Sequence, residues 1–292
     1  MTTGFSYDDF TTRNLGFVSG DEQARLRGAR VFIAGVGGMG SAALACLVRS
    51  GVGSFVFADI DTFEVSNLNR QMFSNLDTVG RPKNEVAAEA IARINPECEV
   101  EVLGAEWVDR LDEILPSVDV AINGCDSARA TIALMRAAAR AGKTVIDAFA
   151  SPLPSVYVVA PRDPRPEQTF GYPTVGVAIG DIDAPMAAQC LQKEIEWVMV
   201  HSSSAEHVHM DIAGQVVAGK RSRMSFAPMV WSTGCLMAYE AIRVILRKPG
   251  GPGPRGLFFN PWTHRIERPR HPLVAALRRL VVRRYLRQLA TA

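Results

Sequence analysis

The chain has 292 residues, 48% of them hydrophobic and 21% charged, enough apolar material for a substantial core and a composition that excludes a disordered polymer. Lys and Arg total 32 against 30 Asp and Glu, and a formal charge of +2 excludes nucleic-acid binding by bulk charge, leaving local patterning to decide it. Five cysteines without a CxxC pair support neither a disulfide framework nor a structural zinc site, and with no apolar run of roughly 18 residues and no N-terminal signal core a cytoplasmic protein without a membrane span is expected.

Arg30 to Ala34 is a short apolar run, followed by Gly35, Val36, Gly37, Gly38, Met39 and Gly40 and then by an Ala-rich stretch through about Ser50. This order predicts a strand, a glycine turn and a helix. Glycines let the backbone turn tightly and approach a phosphate, while the helix N-terminus offers free N–H groups and partial positive charge. Such turns also arise where a helix packs closely on a strand, so the glycines alone leave both readings open. The next strand, Ser54 to Ala58, ends in Asp59, nineteen residues after Gly40, near the place of a ribose-binding acid. Up to Asp59 a nicotinamide oxidoreductase explains the pattern equally well.

Further along, Gly80, Arg81, Pro82 and Lys83 open a helix that stops at Asn95 and Pro96, with Pro82 expected in its first turn. Lys83 would bring an ammonium toward the glycine loop, and Arg70 a guanidinium. A hydride-transfer site has little use for two cations around phosphates, whereas a site that breaks a triphosphate needs them for the charge developing on pyrophosphate. The alternative is that both are solvated surface charges. A later strand, Val118 to Asn123, leads through Gly124 and Cys125 to Asp126, Ser127 and a helix. Asp126 therefore sits at the carboxyl end of a strand, where open α/β sheets bind ligands. It reads as a Mg²⁺ ligand or as a helix N-cap, and the two roles are compatible.

Taken together these stretches resemble the ThiF/MoeB/HesA family, bacterial relatives of ubiquitin-activating enzymes that adenylate a carboxylate with ATP. The matching segments are Gly35 to Gly40, Ala58 to Asp61, Ser66 to Gln71, Gly80 to Lys83 and Asn123 to Ser127. The resemblance implies an α/β, Rossmann-like, doubly wound and mostly parallel sheet with a mixed or antiparallel C-terminal extension. It implies that Gly35, Gly37, Gly38, Gly40 and Asp59 hold the adenosine and ribose, that Asp61 and Asn67 shape the pocket, and that Arg70, Gln71 and Lys83 contact the triphosphate. Asp126 would position Mg²⁺. Arg13 would reach into a partner subunit's site, making the active unit a homodimer. The expected reaction is ATP-dependent activation of a carboxylate on a small carrier protein or a peptide. One alternative is activation of a modified-nucleoside carboxylate on tRNA, as by tRNA threonylcarbamoyladenosine dehydratases. An oxidoreductase and a nucleotide-sensing module are the readings from other classes.

The chain is expected to form one adenylation domain over 1–292. Within it a nucleotide-binding core spans 25–150, substrate or crossover loops 151–225, a late helix and closing strands 226–270, and a basic helix 271–292. The family's two CxxC zinc pairs are missing, so packing is expected to hold the second half. Cys190 lies in the first turns of an expected helix ending near Val200, where it reads either as a buried thiol or as a thioester nucleophile. Ser151 to Pro154 and Gly171 to Thr174 are expected to be loops over the site. His207, His209 and Asp211 are expected to be solvated loop residues rather than a metal cluster. In the C-terminal helix Leu277, Val281, Tyr285 and Leu289 recur at helical spacing, an apolar face expected to dock on the protein, with RNA or membrane contact by Arg278, Arg279, Arg283, Arg284 and Arg287 as the alternative.

Overall fold

The protein is described by a computed structural model covering residues 4–217 and 220–290. Five short β-branched and aromatic runs form parallel strands: β1 (Arg30–Ala34), β2 (Ser54–Ala58), β3 (Glu99–Leu103), β4 (Val120–Asn123) and β5 (Thr144–Asp147). Strands β6 (Ser155–Val159), β7 (Leu257–Asn260) and β8 (Arg265–Glu267) extend the sheet antiparallel. The order across the sheet is β3-β2-β1-β4-β5-β6-β7-β8. The chain direction across the sheet reverses between β1 and β4, and a doubly wound sheet opens a ligand crevice at the carboxyl ends of its strands there.

The helices are α1 (Tyr7–Thr11), α2 (Gly20–Gly28), α3 (Gly38–Arg49), α4 (Lys83–Ile94), α5 (Leu111–Ile114), α6 (Ala128–Ala141), α7 (Pro166–Thr169), α8 (Ala184–His201), α9 (Met210–Val217), α10 (Ala227–Ile245) and α11 (Pro272–Ala290). Alternation along β1 and β2 divides the core into two layers. Val31, Ile33, Phe55 and Phe57 face α3, α4 and α10, while Phe32, Ala34, Val56 and Ala58 face α5, α6 and α8. Each fully buried Val, Ile or Phe among them contributes about 1.5–3 kcal/mol through apolar burial. Helix α10 crosses α3 at Gly234, where a Cβ would lie 2.5 Å from the Ala42 Cβ and 2.8 Å from the Met39 carbonyl oxygen. Only a glycine permits that approach.

Ser151 to Pro154 and Gly171 to Thr174 carry no helix or strand, but several of their side chains enter the core. Ser155–Val159 is a fully buried strand, and Leu153, Tyr172 and Thr174 are buried rather than exposed on a lid. Arg136 on α6 explains the order of the chain after it. Its Nε and Nη2 donate to the buried Glu167 carboxylate at 3.0 and 2.5 Å, and its Nη1 and Nη2 donate to the carbonyls of Val177 and Thr174. A two-pronged ion pair fixes α7 and the following turn against α6. An aromatic cluster of Phe149, Tyr157, Phe170, Trp197 and Phe258 packs beside it. His207 is likewise not simply solvated: its Nε2 is 3.0 Å from Asn260 Nδ2 and 3.3 Å from Ser203 Oγ, whereas His209 and Asp211 are exposed.

The C-terminal helix docks, but by another face than its apolar repeat. Ala275, Val282 and Leu286 pack with Val200 of α8, while Leu277 and Val281 are 69% and 71% exposed. Arginines flank that face. Arg279 and Arg283 both reach Glu196, and Arg278 donates to the carbonyls of Met199 and Ser202. The side chains of Arg287 and Leu289 lie outside the described residues.

Candidate active site

The carboxyl ends of β1 and β4 meet in glycine-to-glycine contact. Gly35 has φ +89°, and a Cβ there would meet the carbonyl carbon of Gly124 at 2.8 Å. At Gly40 a Cβ would stand 1.9 Å from the Gly35 oxygen, and at Gly38 it would stand 2.7 Å from Val230 Cγ1. A side chain at any of these positions fills the cradle or breaks it. Gly37 is the N-cap of α3, which begins with Gly38. Free N–H groups of this first helical turn therefore lie at the reversal point of the sheet, the arrangement that binds phosphate.

Acids and cations gather beside the cradle. Asp59 ends β2 and accepts from the Val36 N–H at 2.9 Å and the Asp61 N–H at 3.0 Å, so it braces the glycine loop as well as facing the crevice. Burial pushes its carboxyl above the usual range, and the backbone N–H groups and Lys83 oppose that effect. The Phe63 N–H donates to the Arg81 carbonyl and the Gly80 N–H to that of Phe63, clamping the chain after Asp59 against the start of α4. The clamp brings Lys83 Nζ to within 2.8 Å of Asp61 Oδ2. Lys83 is buried, unlike a solvated surface lysine, and its carboxylate partner is 63% exposed. Pro82 is the N-cap and not a residue of the first turn. Arg70 lies along Gly38, its guanidinium held by the Ser66 carbonyl at 2.9 Å and Asn69 Oδ1 at 2.8 Å. Asn67 is buried and caps its own turn by accepting from the Glu64 N–H. Gln71 is buried beside Gly37, with its Oε1 unpartnered.

Asp126 follows Gly124 out of β4 and is exposed, with no hydrogen-bond or ion partner among the described residues. The cap of α6 is Ser127, whose hydroxyl accepts from the Ala130 N–H, so the N-cap reading of Asp126 is wrong. That leaves the carboxylate free for a ligand.

Residues 11–275 match the sequence profile of the ThiF family. The chain belongs to the ThiF family. A similar curated relative is the adenylyltransferase and sulfurtransferase UBA4 of Eremothecium gossypii, 32% identical over 58% of this chain and 42% of that protein. Another is the tRNA threonylcarbamoyladenosine dehydratase of Haemophilus influenzae, 42% identical over 28% of this chain and 32% of that protein. The matched region thus spans less than half the length of these ThiF relatives. Among solved structures, E. coli MccB with AMPCPP and MccA superposes with a TM-score of 0.63, covering 91% of this chain and 74% of that one at 19% identity, which supports the common fold.

Arg13, expected to act in a partner's site, and Cys190, a possible thioester nucleophile, lie apart from the cluster. Arg13 is exposed in a short 3₁₀ turn, Thr12–Asn14, and touches none of the cluster. Cys190, on the buried face of α8, is 1% exposed, and burial pushes its thiol up to about 11. Cys125 is close to the crevice, but burial foremost, with Asp147 and Asp126 adding to it, raises its thiol to about 12. Sequence reasoning passed over two residues near the crevice, one that steadies it and one that is closed off from it. The Trp231 indole on α10 donates to the Arg70 carbonyl at 2.7 Å, so the late helix steadies the cation segment. Asp147, at the end of β5, is buried and receives Tyr157 OH at 2.5 Å and Asn123 Nδ2 at 3.0 Å. Its signal was present: Thr144 to Asp147 repeats the pattern of an apolar run ending in an acid.

Proposed function

We propose that this chain uses ATP to adenylate a substrate carboxylate. The observation that carries the reading is the convergence of the glycine cradle with Asp59, the Lys83–Asp61 pair, Arg70 and an unpartnered Asp126 at one sheet crevice. The cradle would take the phosphates on backbone N–H groups, with Asp59 toward the ribose. Lys83 and Arg70 would offset negative charge as pyrophosphate leaves. The substrate carboxylate oxygen attacks the α-phosphorus, the bond to the bridging oxygen breaks, and an acyl adenylate and pyrophosphate result. No protein nucleophile enters this step, and the chain's part is positioning and charge stabilisation.

Asp126 fits a Mg²⁺ role because that ion commonly takes one or two protein carboxylates and completes its shell with phosphate oxygens and water. When bound, Mg²⁺ would neutralise phosphate charge. The substrate in this reading is the carboxyl terminus of a carrier protein or a peptide. The similarity to a tRNA threonylcarbamoyladenosine dehydratase favours a second reading, a carboxylate on a modified tRNA nucleoside. A homodimer belongs to the proposal as well: Arg13 is exposed and flanked by Leu15 and Phe17, which are 54% and 89% exposed. In that arrangement Arg13 acts in the partner's site.

Exchange of labelled pyrophosphate into ATP tests the chemistry, with candidate peptides, carrier proteins and modified tRNA offered in turn. Asp126→Ala is expected to lower exchange by at least 10²-fold with the melting temperature unchanged. Full activity would remove Asp126 from the mechanism, and tight ATP binding without exchange for any carboxylate would favour a sensor. Mixing Asp126→Ala with Arg13→Ala protein is expected to restore part of the exchange lost in each, because a mixed dimer rebuilds one complete site. No recovery on mixing would place Arg13 outside the site.

A further inference from the structure

Helices α3 and α10 run along one another with small residues at the seam. Gly38, Ala42 and Cys46 follow at four-residue steps and therefore share one face of α3. At Gly38 a Cβ would stand 2.7 Å from Val230 Cγ1, and at Gly234 it would stand 2.5 Å from the Ala42 Cβ. Cys46 and Cys235 make the next contact of the same seam, away from the cradle, with their sulfurs 3.6 Å apart. Gly234 carries no side chain, so the two backbones come close beside Cys235, and thiols 189 positions apart in sequence meet there.

The other three cysteines have no thiol neighbour. Cys98 lies near the carbonyls of Val52 and Glu99, Cys125 donates to Asn123 Oδ1 at 2.9 Å, and Cys190 is closed in the core. Cys46 and Cys235 are free thiols and only partly buried. A disulfide holds its sulfurs about 2.05 Å apart, so from contact at 3.6 Å about 1.5 Å remains to close. Rotations about the two Cα–Cβ bonds with a slight approach of the helices supply that distance. Burial foremost, and then the neighbouring Cys235, push the Cys46 thiol up to about 12. The thiolate is the attacking species, so exchange at Cys46 is slow at neutral pH and quickens as pH rises.

We propose that Cys46 and Cys235 are a redox-modification site whose reversible disulfide staples α3 to α10. The oxidant is a low-molecular-weight disulfide such as oxidised glutathione. One protein thiolate attacks it, forms a mixed disulfide and expels a glutathione thiolate. The second protein thiolate attacks the protein sulfur of that mixed disulfide and expels the other glutathione. The two protons lost by the cysteines end on the two glutathione thiols, so the protein gives up two electrons and the oxidised glutathione takes them. The bond closes the far end of a seam whose near end carries Gly38 of the cradle and Trp231, which holds the Arg70 carbonyl. It stands independently of the adenylation reading.

Peptide mapping tests this. The native protein is incubated with oxidised glutathione at about pH 8.5, where thiolate is more abundant than at neutrality, its remaining thiols are alkylated, and the chain is digested without reductant. A linked Cys46–Cys235 peptide is expected to dominate every other pairing, and to form more slowly at neutral pH. The oxidised chain is expected to melt at least about 5 °C above the reduced one, because the bond closes a loop of 189 residues, and dithiothreitol is expected to reverse the gain. Cys46→Ser and Cys235→Ser are each expected to abolish both the linked peptide and the thermal shift, leaving at most a glutathione adduct on the remaining cysteine. No linked peptide, a dominant pairing that involves another cysteine, or a melting temperature unchanged by oxidation would overturn the assignment.

Discussion

Strands β2 and β5 each run through apolar residues to an aspartate at the carboxyl edge of one parallel sheet, and the two aspartates end up in different chemistry. Asp59 spends its oxygens on the N–H groups of Val36 and Asp61, at the mouth of a glycine loop that no side chain can fill. Asp147 is closed in: the antiparallel β6 returns beside it, Tyr157 caps it, and Asn123 ties it to β4. An acid at the end of a strand is thus insufficient to make a ligand site. What decides is the neighbour, glycines that keep the backbone accessible in one case and a returning strand that excludes solvent in the other.

The sharpest way to break this comparison is to fill the loop. Gly40→Ala puts a methyl where the Gly35 carbonyl oxygen stands at 1.9 Å, and the backbone must move. Loss of measurable ATP binding is expected, with a destabilisation of at least about 1–3 kcal/mol. Gly53→Ala is the control, since its Cβ would stand equally close, 1.9 Å, to the Arg27 oxygen, but at the amino end of β2. It is expected to lose similar stability and to keep its ATP affinity per folded molecule, as read by calorimetry below both melting points. Equal loss of affinity in the two variants would mean that the glycine loop acts only through stability.

The first of these two regions was legible because its signals are local. Gly35 to Gly40, Asp59 and Lys83 fall within short strand-turn-helix segments, and the α/β order, the glycine cradle and the late α10 follow from periodicity and family-like spacing. The segment 151–225 was not legible because long-range pairing decides it. Nothing in its Pro and Gly content announces that Ser155–Val159 joins the sheet or that Arg136 fastens Glu167. In α11 the apolar repeat predicted the wrong docking face: Leu277 and Val281 stay exposed, while Ala275 and Val282 pack on α8 and Arg279 and Arg283 reach Glu196. Cys46 and Cys235, 189 positions apart, meet with their sulfurs 3.6 Å from each other through the same crossing of α3 and α10. Spacing along the chain carries no trace of that contact.

A smaller effect concerns the pH response of Asp147. Burial raises the folded-state pKa of Asp147 to about 7, against an unfolded value of about 3.9. Between these values the folded chain holds a proton that the unfolded chain has released. Stability from this group is therefore greatest below about pH 4, falls as pH rises, and levels off above about pH 7. From pH 5.5 to 7 the loss is on the order of 2 kcal/mol. Urea denaturation across that range is expected to show the decline, and Asp147→Asn to remove this part of the slope, whatever it does to absolute stability. An unchanged slope in the variant would assign the decline to other groups.

The smallest expected effect concerns Cys190. A thioester nucleophile must be reached by the acyl adenylate and must ionise, and this thiol lies on the buried face of α8 with its pKa raised to about 11 by burial. The residues of the crevice account for the proposed adenylation without it. Cys190→Ser is expected to leave pyrophosphate exchange within about twofold of the parent and to cost about 1 kcal/mol of stability, the scale of a typical single substitution. Mass spectrometry under turnover supplies the stricter comparison. A covalent acyl adduct on the parent chain that disappears in the serine variant would show that α8 opens during catalysis and that Cys190 accepts the activated group. With no adduct in either chain, the acyl adenylate passes to an acceptor outside this protein, and the buried thiol serves packing alone.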